Sequence, residues 1–255
     1  MTPVLLLLSL MTFHSIQPLS PPVDFNVQQL IENHQHRTLR QERLQTLLNQ
    51  KNPFHDTYDP TMTLTIPIQD PYALDAIINR LHVLTHEHEP EDLVNLRSLD
   101  STHPSQRLRV EAAQAFLQLK AAVLKDLNIT IEVRSGYRSF ATQKRLFNQY
   151  ALKDGVRLAN TYSAFAGQSE HQSGLSMDVA EQGSSFLVFG SSLAYPYLQD
   201  HAHKYGFILR YPRSKSQITG YIDEPWHWRY VGVALATQLK EQALTLDEWW
   251  IHSLK

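Results

Sequence analysis

The stretch Ser169-Glu170-His171-Gln172-Ser173-Gly174-Leu175-Ser176-Met177-Asp178 holds an imidazole and a carboxylate seven residues apart, with a glycine between them. A second imidazole arrives in Glu224-Pro225-Trp226-His227. His171, Asp178 and His227 together form a three-ligand set suited to one zinc ion, with a fourth position open to water, which is the pattern of a catalytic site. On a strand, the odd offset sends His171 and Asp178 to opposite faces; on a helix, two turns part them by roughly 10 Å, too far for one ion. The chain must bend between them, and Gly174 is the residue that permits it. Glu224 precedes His227 by three residues, and Pro225 biases it towards an extended backbone. Its carboxylate is thus placed beside the metal without having to bind it. There it can take a proton from water whose pKa the ion lowers to about 7, and hand that proton to a leaving amine. The chemistry implied is metal-assisted hydrolysis. The bland alternative is a hydrogen-bonded loop histidine and a turn carboxylate; the density of the motif and the following Glu-x-x-His favour the metal.

The elements that position these groups follow from periodicity. Gln106 to Leu127 repeats apolar residues at helical spacing, and Asn128 can end that helix. Ile129 to Val133 alternates with β-branched character and delivers Gly136-Tyr137-Arg138-Ser139 to its far end. Ser139 can cap a helix running through Gln143, Leu146, Phe147 and Tyr150. Arg138 therefore sits at a strand-to-helix junction, and its guanidinium fork suits a substrate carboxylate or the oxyanion formed when water attacks a carbonyl. Asp154 to Gln168 reads as a polar loop over the cleft, with Tyr162 or Ser163 in reach of a substrate. Tyr195 to Tyr205 reads as a helix closed by Gly206, and Phe207 to Leu209 as a strand. Trp226 to Val233 reads as a further strand, with Trp226, Trp228 and Tyr230 on the face opposite His227 and taken as core. A helix from Ala234 to Leu244 and a capping box at Thr245 to Glu248, opening a last short helix, complete the chain. His86-Glu87-His88-Glu89, followed by Pro90, reads as a solvated loop rather than a second metal site. His201 and His203 stand at a spacing that does not face one partner.

Taken together, Ser169-x-His171-x-x-Gly174-x-Ser176-x-Asp178 and Glu224-Pro225-Trp226-His227-Trp228-Arg229-Tyr230 resemble the VanY-type zinc D-alanyl-D-alanine carboxypeptidases, within the LAS metallopeptidases. Ser135-Gly136-Tyr137-Arg138-Ser139 with Gln143, and Glu91-Asp92-Leu93-Val94, extend the likeness over roughly Leu81 to Gln238. The resemblance implies an enzyme that removes the terminal D-alanine of peptidoglycan stem peptides with one Zn2+ ion. It implies Glu224 as base and then acid, Arg138 steadying the reacting carbonyl oxygen, and Gln143 and Ser169 contacting the peptide terminus. A peptidoglycan endopeptidase, a D-Ala-D-Ala dipeptidase, or a wall-binding module without turnover are the alternatives. One departure is visible: the family usually has Ala where this chain has Ser176, a place where a hydroxyl can alter metal affinity.

With 255 residues the chain can bury one full core and carry an appendage. A formal net charge of -2 gives no basic excess and so no nucleic-acid partner, and the absence of cysteine excludes disulfides and thiolate metal sites. Val4 to Phe13 is an apolar run too short to span a bilayer comfortably, with no Lys or Arg before Arg37. We read it as an export signal or membrane-proximal anchor, the alternative being a buried strand or helix. The expected organisation is a signal or anchor segment over 1–22, a helical, Pro-punctuated extension over 23–72, and a zinc peptidase domain over 73–255. The expected fold class is α+β: a small, mostly antiparallel sheet flanked by helices, with zinc at the sheet edge. The expected location is extracytoplasmic, in the cell envelope, with the cytoplasm as the alternative.

Overall fold

The computed structural model describes residues 65–253. The expected signal or anchor segment and the helices of the amino-terminal extension lie outside these residues. The chain divides between Asp56 and Thr57, and every described residue belongs to the second unit.

Strand β1 (Ile66–Pro67) pairs in parallel with β2 (His82–Val83). Strand β3 (Leu93–Asn95) pairs antiparallel with β4 (Arg107–Arg109), and helix α1 (Val110–Leu127) follows directly. The first residues of the expected Gln106–Leu127 helix are therefore strand, because Leu93, Val94 and Asn95 offer them a ladder. Asn128 ends α1 in the left-handed conformation at φ 56, as its short polar side chain allows. Strand β5 (Ile131–Ser135) leads to helix α2 (Phe140–Asp154), whose cap is Ser139: its side chain accepts from Thr142 N.

Helix α3 (Val156–Tyr162) occupies much of the segment expected to be a loop. Its Ala159 is fully buried beside Phe147 and Phe165, so an apolar contact holds a sequence that reads as polar. A single turn of 3-10 helix (Glu170–Ser173) then reaches strand β6 (Ser176–Glu181) through Gly174, left-handed at φ 69. Helix α4 (Ala194–His201), strand β7 (Phe207–Leu209), strand β8 (His227–Tyr230), helix α5 (Val233–Gln242) and helix α6 (Leu246–Ser253) complete the domain. The capping box is present: Glu248 N donates to Thr245 Oγ1 at 3.2 Å, and Thr245 N donates to Glu248 Oε2 at 2.8 Å.

The principal sheet is antiparallel throughout, in the order β5-β6-β8-β7. One face packs on α1 and α4, where Phe116, Leu119, Val133, Met177, Trp228 and Phe207 are buried in a single apolar cluster. The other faces of β6 and β8 carry Ser176, Asp178, His227 and Arg229, all buried and all polar. A face that is buried yet hydrophilic requires internal partners for each group. The fold is thus the expected α+β class, and the polar site lies on this face of the two inner strands, where the start of β8 meets β6.

Candidate metal centre and active site

Asp178 and His227 face each other across β6 and β8 as a register pair. His171 reaches them from the 3-10 turn because Gly174 reverses the chain before β6 begins. A Cβ on Gly174 would lie 2.7 Å from the terminal methyl Cδ2 of Leu93, which would have to shift, and the positive φ reserves the position for glycine. One donor atom from each of the three residues lies within 4.8 Å of the others, and all three residues are buried.

Hydrogen bonding identifies which atoms are free to bind. His171 Nδ1–H donates to Gly136 O at 2.7 Å, which leaves the Nε2 lone pair facing Asp178 Oδ1 at 3.4 Å. His227 turns Nδ1 towards the same Oδ1 at 3.2 Å. Two ligands each about 2.05 Å from an ion at the tetrahedral angle stand about 3.3 Å apart, so these separations fit zinc. His171 Nε2 and Asp178 Oδ1 are buried without a hydrogen-bond partner, which is what a donor set for a cation requires.

The electrostatics agree. Burial disfavours charge on Asp178, yet His171 and His227 hold its carboxyl well below the usual range. Burial and the nearby Arg138 push the His171 ring down to about 4, keeping it neutral and able to ligate. Burial works against charge on His227 too, but the Asp178 and Glu170 carboxylates outweigh it and raise the ring to about 9, so a cation bound at Nδ1 must displace a proton.

Glu224 lies beside this set and outside it, its Oε2 3.7 Å from His227 Nδ1. Burial pushes its carboxyl up to about 8, with Asp178 adding to the rise and His227 and Arg138 opposing it. A divalent cation among the adjoining donors favours the carboxylate form. Arg138 is half-buried, its Nε without a partner, and its backbone N donates to His171 O at 3.1 Å. A cavity of about 370 Å³ opens on these groups, lined also by Ser169, Tyr162, Ser163 and Trp226.

Of the sequence-predicted site residues, His171, Asp178, His227, Glu224, Arg138 and Ser169 all face this cavity. Gln143 stands behind its wall: its Nε2 donates to Ala164 O at 2.6 Å, fixing the segment that carries Ser163. Trp226 precedes β8 and so falls outside its alternation; it meets Phe186 edge-on at the cavity instead of lying wholly in the core. His88 is buried, not solvated, because its ring packs on Tyr72 with centroids 4.8 Å apart. Sequence reasoning missed Glu170, Arg210 and Arg229, which are buried and ion-paired behind the donors. Nothing in the spacing of Arg210 connects it with the motif. Among the described residues, His171, Asp178 and His227 are the one group of His and acidic side chains placed to share an ion.

An α+β domain with a three-donor cluster, an open cavity and a free carboxylate alongside has the arrangement of a metallopeptidase. The VanY family of D-alanyl-D-alanine carboxypeptidases matches residues 105–233, and the chain belongs to that family. It is 38% identical over 189 residues to the putative carboxypeptidase YodJ of Bacillus subtilis (strain 168), covering 72% of this chain and 69% of that one. Among solved structures, the LdcB LD-carboxypeptidase superposes with a TM-score of 0.66 at 34% identity, covering 77% of this chain and 93% of the other. A mutant of the vancomycin-resistance D,D-pentapeptidase VanY in complex with Zn(II) superposes with a TM-score of 0.61 at 29% identity, covering 70% and 99%.

Proposed function

We propose that this protein is a zinc-dependent D-alanyl-D-alanine carboxypeptidase that hydrolyses the terminal D-Ala of peptidoglycan stem peptides outside the cytoplasmic membrane. The observation that carries the reading is the convergence of His171, Asp178 and His227 donor atoms within 4.8 Å, with Glu224 adjoining but excluded from the set. The zinc-bound VanY relative supports zinc as the ion, and we assign one ion to the three donors. Bound there, zinc supplies a Lewis acid for the scissile carbonyl and lowers the pKa of water to about 7.

The chain's own groups do the rest. Glu224 accepts the proton of the attacking water as its oxygen joins the carbonyl carbon, then delivers that proton to the amine as the C–N bond breaks. Arg138, whose side chain lines the cavity, supplies the guanidinium for the negative charge that develops on the carbonyl oxygen. Ser169 lies on the cavity wall where a peptide terminus can be held, and Gln143 supports that wall through Ala164.

A stem peptide ending in D-Ala-D-Ala, assayed with and without chelator, tests the reading. Glu224→Gln is expected to keep the ion and lose about 10²- to 10⁴-fold in rate, whereas His171→Ala loses ion and activity together. A metal-free Glu224→Gln protein contradicts the assignment of Glu224 outside the coordination sphere. The likeness to an LD-carboxypeptidase favours a second reading, cleavage of a tetrapeptide at an L,D bond. Release of D-Ala from tetrapeptide and not from pentapeptide selects it; release of the dipeptide selects dipeptidase action.

A further inference from the structure

Behind the donor set lies an ionic cluster that the mechanism above does not use. Glu170 Oε1 accepts from Arg210 Nε at 2.7 Å and is ion-paired with Arg229 Nη1 at 3.1 Å, and none of these three side chains is exposed. Its Oε2 accepts from Ser176 Oγ at 3.0 Å and stands 3.5 Å from His227 Nε2. Arg210 Nη1 continues to Asp247 Oδ2 at 2.5 Å, at the start of α6. Arg229 Nη2 donates to the carbonyls of Leu74 and Ala76 at 2.9 and 3.1 Å.

Two carboxylates face two guanidiniums, so the cluster is charge-balanced. Stability alone does not call for it, since well-packed apolar side chains in the same volume serve as well or better. Its direction is more informative. His227 presents Nδ1 to the donor set, so its proton must sit on Nε2, and an N–H buried there needs an acceptor. His227 Nε2 is buried without a hydrogen-bond partner, and Glu170 Oε2, 3.5 Å away, is the carboxylate oxygen that stands beside it.

We propose that Glu170 is a positioning residue for the metal centre. It takes the Nε2–H of His227, fixes that ring's tautomer and direction, and is itself held by Ser176, Arg210 and Arg229. The inference rests on the zinc reading above, because only a ligating Nδ1 gives the tautomer a purpose. Ser176 acquires a role as well, since its hydroxyl adds a hydrogen bond to the carboxylate behind the ligand.

The test is zinc affinity by competition with a chromophoric chelator, paired with the visible spectrum of the cobalt-substituted protein. Glu170→Gln is expected to weaken zinc binding about 10- to 100-fold and to shift the cobalt bands. Ser176→Ala is expected to weaken binding less, in the same direction. Lys120→Met, which breaks an ion pair outside the cluster, controls for general destabilisation and should leave affinity and spectrum as in the wild type. A folded Glu170→Gln protein with wild-type affinity and spectrum overturns the proposal. If that variant fails to fold, a Ser176→Ala protein with both readouts unchanged overturns it instead. Failure of the wild type itself to take up zinc overturns the donor-set reading, a separate result.

Discussion

Arg138 and His103 show how far a single side chain carries meaning. Arg138 is joined to His171 through its backbone, lines the cavity, and keeps a buried Nε without a hydrogen-bond partner. Removing an oxyanion donor of this kind costs about 10²- to 10³-fold in kcat. Arg138→Met should show that loss with zinc content unchanged; a fall in KM-controlled binding alone would place the guanidinium on a substrate carboxylate instead. His103 serves structure: Nδ1–H donates to Pro104 O at 2.8 Å, and Nε2 accepts from Val133 N at 3.0 Å. Burial holds the ring below its ordinary 6.5, so the unfolded chain binds the proton more readily. By linkage, the stability this neutral ring contributes is present above pH 6.5 and is lost as pH falls from there through the folded value. Urea midpoints from about pH 7.5 down to about 5 should fall less steeply for His103→Ala than for the wild type, although the variant starts lower. Equal slopes would remove His103 from the acid response.

At the scale of elements, the junction between β5 and α2 does more than present Arg138. Gly136 O receives the Nδ1–H of His171, and a Cβ on Gly136 would meet Arg107 O at 2.3 Å. Strand β5 shifts register between Val133 and Ser135, one residue before this contact, and bulges of that kind re-aim a strand end. Gly136→Ala should therefore cost about 1–3 kcal/mol through overpacking. It should also weaken zinc binding, because the carbonyl that orients His171 must move. Thermal denaturation and chelator competition on the same preparation check both halves, and a destabilised variant with wild-type affinity would separate the junction from the metal site. The sequence made Gly136 visible as part of a motif, while its role as acceptor depends on β5 lying beside the 170–173 turn.

For the whole molecule, the donors come from residues 171, 178 and 227, so an ion clamps the 3-10 turn, β6 and β8 together. Binding confined to the folded state stabilises it by about 2.7 kcal/mol when free zinc is about 100 times Kd. Chelation should lower the melting temperature of the wild type and of Glu224→Gln alike, and leave His171→Ala unchanged. A wild-type melting temperature indifferent to chelator and to added zinc would deny the clamp. Among the described residues no helix is long and apolar enough to cross a membrane.

The sequence by itself determined the donor types, their order, the bend at Gly174, the cap at Ser139 and the box at Thr245, because each depends on neighbours a few residues away. It also marked Glu224 as a carboxylate beside a ligand, since Pro225 and a three-residue offset are local facts. It did not reveal that α3 is a helix, that His88 is buried, or that Glu170, Arg210 and Arg229 form one ionic cluster. Those were decided by tertiary structure, for one physical reason. A polar side chain far along the chain looks like a surface residue until the fold removes its water and supplies a partner. Glu170 and Arg210 are 40 residues apart, and only the fold that sets the 3-10 turn and the residue after β7 beside β8 makes them neighbours.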